Sequence, residues 1–250
     1  TDINLIPQYE RPRRLILQAA EDCAAMITVC AALKEAIVSL GGSPEKITPL
    51  RNGVDLELFR PEDRQQARQA FGISERFAIA SVGHLIERKG HHLVITALAD
   101  IPDANLYIAG AGEEDANLRA LAARLGITDR VHFLGAMPQA RLRTLYSAVD
   151  GLVLASSREG WANVLLEAMA CGTPVVATNV WGTPEVVAAP EAGVLMSSRT
   201  AEGCAEGVAA LRRNYPDHAL TRRYAEGFSW NDTTNGQIEL FRHVLAGSRT

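Results

Sequence analysis

The chain has 250 residues, 47% of them hydrophobic, with a net charge of -4 and no compositionally biased tract. That composition belongs to a folded globular protein and excludes a disordered or fibrous chain. With no run of five basic residues, it also excludes a general pull toward nucleic acid or anionic lipid, so any anion site must be local.

In chain order, the first 45 residues supply a helix near 10–20, a strand "MITVC" at 26–30 and a helix over 31–40 ended by Gly41 and Gly42. One strand makes no sheet of its own. Residues 1–45 are therefore expected to be the tail of an amino-terminal domain whose larger part lies upstream of Thr1. A second domain, residues 46–228, opens at "KITPLRNGVD" and alternates β-rich apolar runs with helical patterns. Strands are expected at 77–83, 105–112, 130–135, 150–157, 173–178 and 192–196, with helices between them near 90–99, 113–125, 138–147, 163–171 and 183–188. This rhythm predicts an α/β fold, a doubly wound parallel sheet of Rossmann-like type covered on both faces. Helices near 201–213 and 216–226 follow, and residues 229–250 hold a last helix over 230–246.

Cys23, Cys30, Cys171 and Cys204 lack the paired spacing of a zinc site, and a chain this long needs no disulfide staples, so they read as reduced thiols. Reduced thiols make the cytoplasm the expected setting, or the inner face of the membrane for the full-length protein, and the sequence holds no apolar span of 18 residues.

In open α/β sheets ligands bind at the carboxyl ends of the strands. After the first strand of the second domain comes "GHLIERKG" (83–90), where Gly83 lets a ligand approach the backbone and Arg88 and Lys89 precede a helix. This reads as a diphosphate clamp, although two such charges also occur as ordinary solvated residues. The order is not that of a Walker A loop. "GAGEED" (110–115) begins like a dinucleotide fingerprint but has Asp115 in place of the third glycine, which disfavours a nicotinamide dehydrogenase. The strongest signal is "SREGWANVLLEAMACGTPVVAT" (157–178), a loop and helix carrying Glu159 before the apolar run and Glu167 within it. A buried carboxylate costs several kcal/mol unless something offsets it. Asn163 and Glu167 share a helix face at i and i+4, where the carboxylate can take two hydrogen bonds from the diol of a ribose. Glu159 and the amides of Gly160, Trp161 and Ala162, with Val164 in the first helical turn, can face a sugar and its phosphate. By spacing alone, Glu167 reads equally as a helix-surface residue with a solvated head.

Together with "PLRNGVDLELF" (49–59), "VGHLIERKGHH" (82–92), "YIAGAGEE" (107–114), "VHFLGAMP" (131–138) and "GTPEVV" (182–187), this stretch resembles the carboxyl-terminal, donor-binding half of retaining GT-B glycosyltransferases of family 4, also called glycosyl transferases group 1. The resemblance covers nearly the whole chain. It implies a hexosyltransferase-type enzyme that moves a sugar from a nucleoside diphosphate sugar, UDP- or GDP-linked, to an acceptor glycan, lipid or small molecule with retention of configuration. It implies Glu159 and Lys89 as catalytic residues, facing the sugar hydroxyls and the diphosphate, and Glu167 as the ribose hook. The donor site would also include Gly83, His84, Arg88, the backbone at Phe133 and Leu134, and residues 160–164. No metal and no separate cofactor are implied.

His84 stands where the family commonly has arginine, which bears on the strength of diphosphate binding. Trp181 stands for the first of two glycines before "PE" and bears on one wall of the sugar pocket. The "TDIN" start resembles a segment usually reading "RGSDIN". The acceptor would bind through the amino-terminal domain, so this chain by itself is expected to bind a sugar nucleotide weakly, to transfer nothing, and either to self-associate or to be disordered before about residue 45. A sugar-nucleotide epimerase of the same fold and a non-catalytic nucleotide-sugar binding module are the other readings; the intact Lys89, Glu159 and Glu167 argue against the non-catalytic module, and incubation of full-length protein with donor alone separates the epimerase.

Overall fold

The structure is a computed structural model that describes residues 6–74 and 77–247. The "TDIN" start lies outside the described residues.

The chain folds as a small two-stranded unit followed by a six-stranded one. In the first, helix α1 (Glu10–Asp22), strand β1 (Met26–Thr28) and helix α2 (Ala31–Leu40) lead to strand β2 (Ile47–Pro49). The lone strand of the sequence reading has a partner: β1 and β2 run parallel, with Met26 opposite Ile47 and Thr28 opposite Pro49. Three residues are too few for period-2 patterning to reveal a strand. Helix α3 (Arg64–Phe71) is also absent from the sequence reading; Asp63 caps it by accepting from the Gln66 amide at 2.8 Å, and Ala67 is its buried residue.

The large sheet then builds in strict βα alternation. Its strands are β3 (Phe77–Val82), β4 (Ala104–Ala109), β5 (Val131–Gly135), β6 (Gly151–Leu154), β7 (Val175–Thr178) and β8 (Gly193–Met196). Between them lie α4 (His91–Leu98), α5 (Asp115–Arg124), α6 (Gln139–Ala148), α7 (Asn163–Ala170) and α8 (Thr183–Val186). The order across the sheet is β5-β4-β3-β6-β7-β8, all parallel, so the winding reverses between β3 and β6. Every residue of β3, β6 and β7 is buried. Alternate residues of β3 feed two cores: Ala78, Ala80 and Val82 pack with Tyr146, Leu165 and Leu166, while Phe77 and Ile79 pack with Val94, Leu98 and Leu211. Two-sided burial explains why these strands are continuous apolar runs.

Helices α9 (Ala201–Arg213), α10 (His218–Glu226) and α11 (Trp230–Gly247) complete the chain. The Thr233 hydroxyl on α11 donates to the Arg51 carbonyl, so the last helix rests on the connection between the two units. Glu185 on α8 ties them again, accepting from the Ala32 amide at 3.2 Å and from Arg51 at 3.0 Å. The four cysteines are free thiols. Among the described residues, no helix is long and apolar enough to cross a membrane.

Candidate functional site

The point where the winding reverses is where such a sheet opens a crevice for ligands. The segments following β3 and β6 meet there. Gly90, at φ 73, is pressed so closely on the end of β6 that a Cβ would lie 2.1 Å from the Ala155 carbonyl oxygen. The Ser157 amide donates to the Arg88 carbonyl at 2.9 Å, and the Arg88 guanidinium donates to the Arg158 carbonyl at 3.1 Å. Arg88 thus braces the two loops to each other.

Across this junction, Lys89 Nζ lies 2.6 Å from Glu159 Oε1, with side-chain exposures of 17% and 7%. The charge buried at Glu159 is offset by Lys89. Each resemblance-implied contact, sugar for Glu159 and diphosphate for Lys89, would have to be made from within this pair. The Lys89 stem passes 3.8 Å from where a Cβ of Gly83 would stand, linking the pair to the main cleft.

That cleft, about 320 Å³, opens at the carboxyl ends of β3, β4 and β5 and is walled by Gly83, His84, Ala111, Met137, Val164 and Glu167. Helix α7 brings Glu167 to it because Leu165, Leu166, Met169 and Ala170 are buried behind. No side chain caps the amino end of α7. Asn163 and Glu167 together face an adjoining hollow of about 110 Å³, as the i and i+4 spacing predicts. Glu167 accepts from the Tyr146 hydroxyl at 3.0 Å and belongs to none of the ion pairs among the described residues. Burial raises its pKa, and the Tyr146 bond offsets part of that rise. Burial, followed by the nearby Glu167 charge, pushes the Tyr146 phenol well above its ordinary value.

The structure therefore brings Gly83, His84, Val164 and Glu167 to one cleft, Asn163 to its annex, and Lys89 with Glu159 to its side. Phe133 and Leu134 stand one step back on β5, where Phe133 lies under the Arg119 guanidinium at 4.3 Å, and the cleft wall at that end is Ala136 and Met137. Gly160, Trp161 and Ala162, at the end of the loop before α7, are buried. The Trp161 ring packs 6.0 Å from Phe228, and its buried indole N–H has no hydrogen-bond partner among the described residues.

Two residues that shape the site escape sequence reasoning. Tyr146 is one, on α6. His91 is the other: its ring lies 2.8 Å from the Ser81 hydroxyl and 3.2 Å from the His84 carbonyl. Burial lowers its pKa to about 4, so near neutral pH the ring is uncharged. A carbonyl can only accept, so Nε2 carries the proton to His84 and Nδ1 accepts from Ser81. His91 thereby holds the backbone of the cleft rim; the repeated histidine after "KG" was its one sequence signal.

On the far side, the loop after β7 closes on the Glu159 segment. The Gly182 amide donates to the Glu159 carbonyl at 3.3 Å, and a Cβ on Gly182 would lie 2.1 Å from the Gly160 carbonyl oxygen. Its neighbour Trp181 has φ 48, the left-handed region that costs a bulky residue about 1–3 kcal/mol. Among the described residues, no group of three or more His, Cys, Asp or Glu is placed to hold a metal ion.

A parallel sheet wound in this order is a doubly wound, Rossmann-like domain, and it matches that domain in structural neighbours of GT-B type. Residues 63–227 match the family described as glycosyl transferases group 1, and the chain belongs to that family. It is 33% identical over 244 residues to the D-inositol 3-phosphate glycosyltransferase of Mycobacterium marinum, covering 93% of this chain and 50% of that protein. The chain thus spans about half the length of the curated relatives it matches. Among solved structures, HepE of Anabaena in complex with UDP and glucose superposes with a TM-score of 0.84 at 25% identity, covering 96% of this chain and 69% of that one. The carboxyl-terminal domain of LpcC, a glycosyl transferase group 1 family protein of Francisella tularensis, superposes with a TM-score of 0.59 at 26% identity, covering 73% of this chain and 97% of that domain.

Proposed function

We propose that this chain is the donor-binding part of a retaining family 4 glycosyltransferase of hexosyltransferase type, and that its cleft takes a nucleoside diphosphate sugar, UDP- or GDP-linked. One observation carries the reading: Glu167, a half-buried carboxylate without a cation, faces the same cleft as Gly83, His84 and the uncapped amino end of α7. An acceptor of hydrogen bonds placed beside anion-favouring amides suits a ligand that carries a diol next to phosphates. HepE, a structural neighbour, is described in complex with UDP and glucose, which supports this ligand class.

In this reading the ribose hydroxyls donate to Glu167, and the diphosphate meets the α7 amides, His84 and Lys89. The sugar lies toward Glu159. When the bond between the anomeric carbon and the diphosphate oxygen breaks, the acceptor oxygen bonds that carbon from the same face and its proton passes to the departing phosphate oxygen. The developing charge is met by Lys89 and the helix amides without a metal. The acceptor glycan, lipid or small molecule is bound with the help of residues upstream, so residues 1–250 alone bind donor, transfer nothing and self-associate.

Calorimetric titration of the purified chain with UDP, GDP, ADP and CMP tests this. UDP or GDP is expected to bind most tightly, and Lys89→Ala to weaken the diphosphate more than the nucleoside. Absence of binding by all four would refute the donor-site reading, and acceptor glycosylation by residues 1–250 would refute the division of labour.

A further inference from the structure

A groove of about 610 Å³ runs beside the donor site, between α2 and the loop after β7, and is lined by Gln8, Glu35, Ala36, Asn179, Trp181 and Pro184. We propose that it is a saccharide subsite in which Trp181 is the stacking platform for the acceptor. The inference rests on the donor-site reading for the direction in which the sugar is passed.

Three observations support it. Trp181 holds a left-handed backbone, φ 48, at a turn that glycine would form without strain. The position therefore supplies an indole, and it does so against a backbone penalty. The lining matches the chemistry of sugars: an aromatic and aliphatic floor to cover the C–H faces, with a carboxylate and two amides to meet the hydroxyls. Gln8, Glu35 and Asn179 are exposed, and no hydrogen bond or ion pair among the described residues engages their side chains. Finally, the wall of the groove is tied to the Glu159 segment, since Gly182, next to Trp181, donates to the Glu159 carbonyl and packs on Gly160. A saccharide lying on Trp181 would end beside the Glu159 segment, where the transferred sugar is expected.

The test uses residues 1–250 with nitrogen-15 in the indoles of the three tryptophans. Methyl α-glucopyranoside, methyl α-mannopyranoside and maltotriose are added separately to tens of millimolar, with and without saturating UDP. The Trp181 N–H signal, identified by its loss in Trp181→Phe, is expected to shift saturably with at least one saccharide while those of Trp161 and Trp230 stay in place. Trp181→Asn tolerates the backbone conformation; it is expected to abolish saccharide binding, leave UDP affinity unchanged and melt no lower than the parent. If UDP binds and no saccharide moves the Trp181 signal, the subsite is refuted. It is also refuted if Trp181→Asn and Trp181→Gly both lower the melting temperature while saccharide binding persists, because the indole would then be a packing element or a seat for another part of the protein. A saccharide response without UDP binding would keep the subsite and remove the donor-site reading; absence of both responses would remove both.

Discussion

The loop over residues 157–162 and the helix α7 that follows it each carry a carboxylate, and they hold it in opposite ways. In the loop, Glu159 is 5% exposed and one of its oxygens is paired with Lys89. On the helix, Glu167 has one hydroxyl partner and a desolvated, raised pKa. An ion pair satisfies the charge and fixes the loop. A single neutral hydrogen bond leaves the charge under-compensated and available to a ligand that brings further donors. Two glutamates in one motif can thus differ in how their charge is held, one by an ion pair and one by a single hydroxyl, without differing in chemistry.

The largest test of this contrast is Lys89→Ala. It strands the Glu159 carboxylate and is expected to cost about 3–5 kcal/mol in urea denaturation, as removal of one partner of a buried pair does. Replacing both partners with Lys89→Met and Glu159→Leu should recover most of that loss, and a double variant as unstable as the single one would show that the pair is not the cause.

His91 extends the comparison to a neutral buried group. Its folded pKa of about 4 lies below the ordinary value of 6.5, so the unfolded chain binds more protons between those limits. Stability should therefore be full above about pH 6.5 and fall by up to about 3 kcal/mol as the pH drops toward 4. Glu167 acts with the opposite sign, its raised pKa favouring the fold more at low pH. His91→Gln should flatten the acid limb, and an unchanged limb would assign it to other groups.

A smaller effect is expected from Glu167→Gln, which keeps an acceptor for Tyr146 but removes the strained charge. The melting temperature at pH 7 should rise while UDP affinity falls about tenfold, the worth of a charge-assisted hydrogen bond near 1.5 kcal/mol. A fall in both would make Glu167 a structural residue. Smallest is Tyr146→Phe, with an expected loss of about 1 kcal/mol and a further rise in the Glu167 pKa, measurable by carboxyl carbon NMR.

The strands of the large sheet are legible because two-sided burial forces them into unbroken apolar runs, as in "FAIASV" and "VVAT". The Asn163 and Glu167 pairing is legible because helical spacing is a local property. Helix α3 is not, since "RQQARQAF" offers only Ala67 and Phe71 to a core and is started by a cap. The Lys89 and Glu159 contact spans 70 positions and exists only because β3 and β6 are neighbours at the reversal of the sheet. Tyr146 is hidden because its partner Glu167 lies 21 positions on, beyond β6; His91 meets Ser81 and His84 within ten positions, but nothing in the pattern marks its ring as buried.

The two glycines seated on carbonyl oxygens, Gly90 on Ala155 and Gly182 on Gly160, sort the site by tolerance to change. Any side chain there collides with backbone, which cannot yield, so these positions fix a floor that mutation can only damage. Ala111, Ala136 and Met137 line the cleft without such contacts, and a combinatorial library confined to them alters what the cleft accepts while leaving its frame intact. The architecture separates what must be kept from what can be retuned, which is the condition for one scaffold to acquire new ligands by few substitutions.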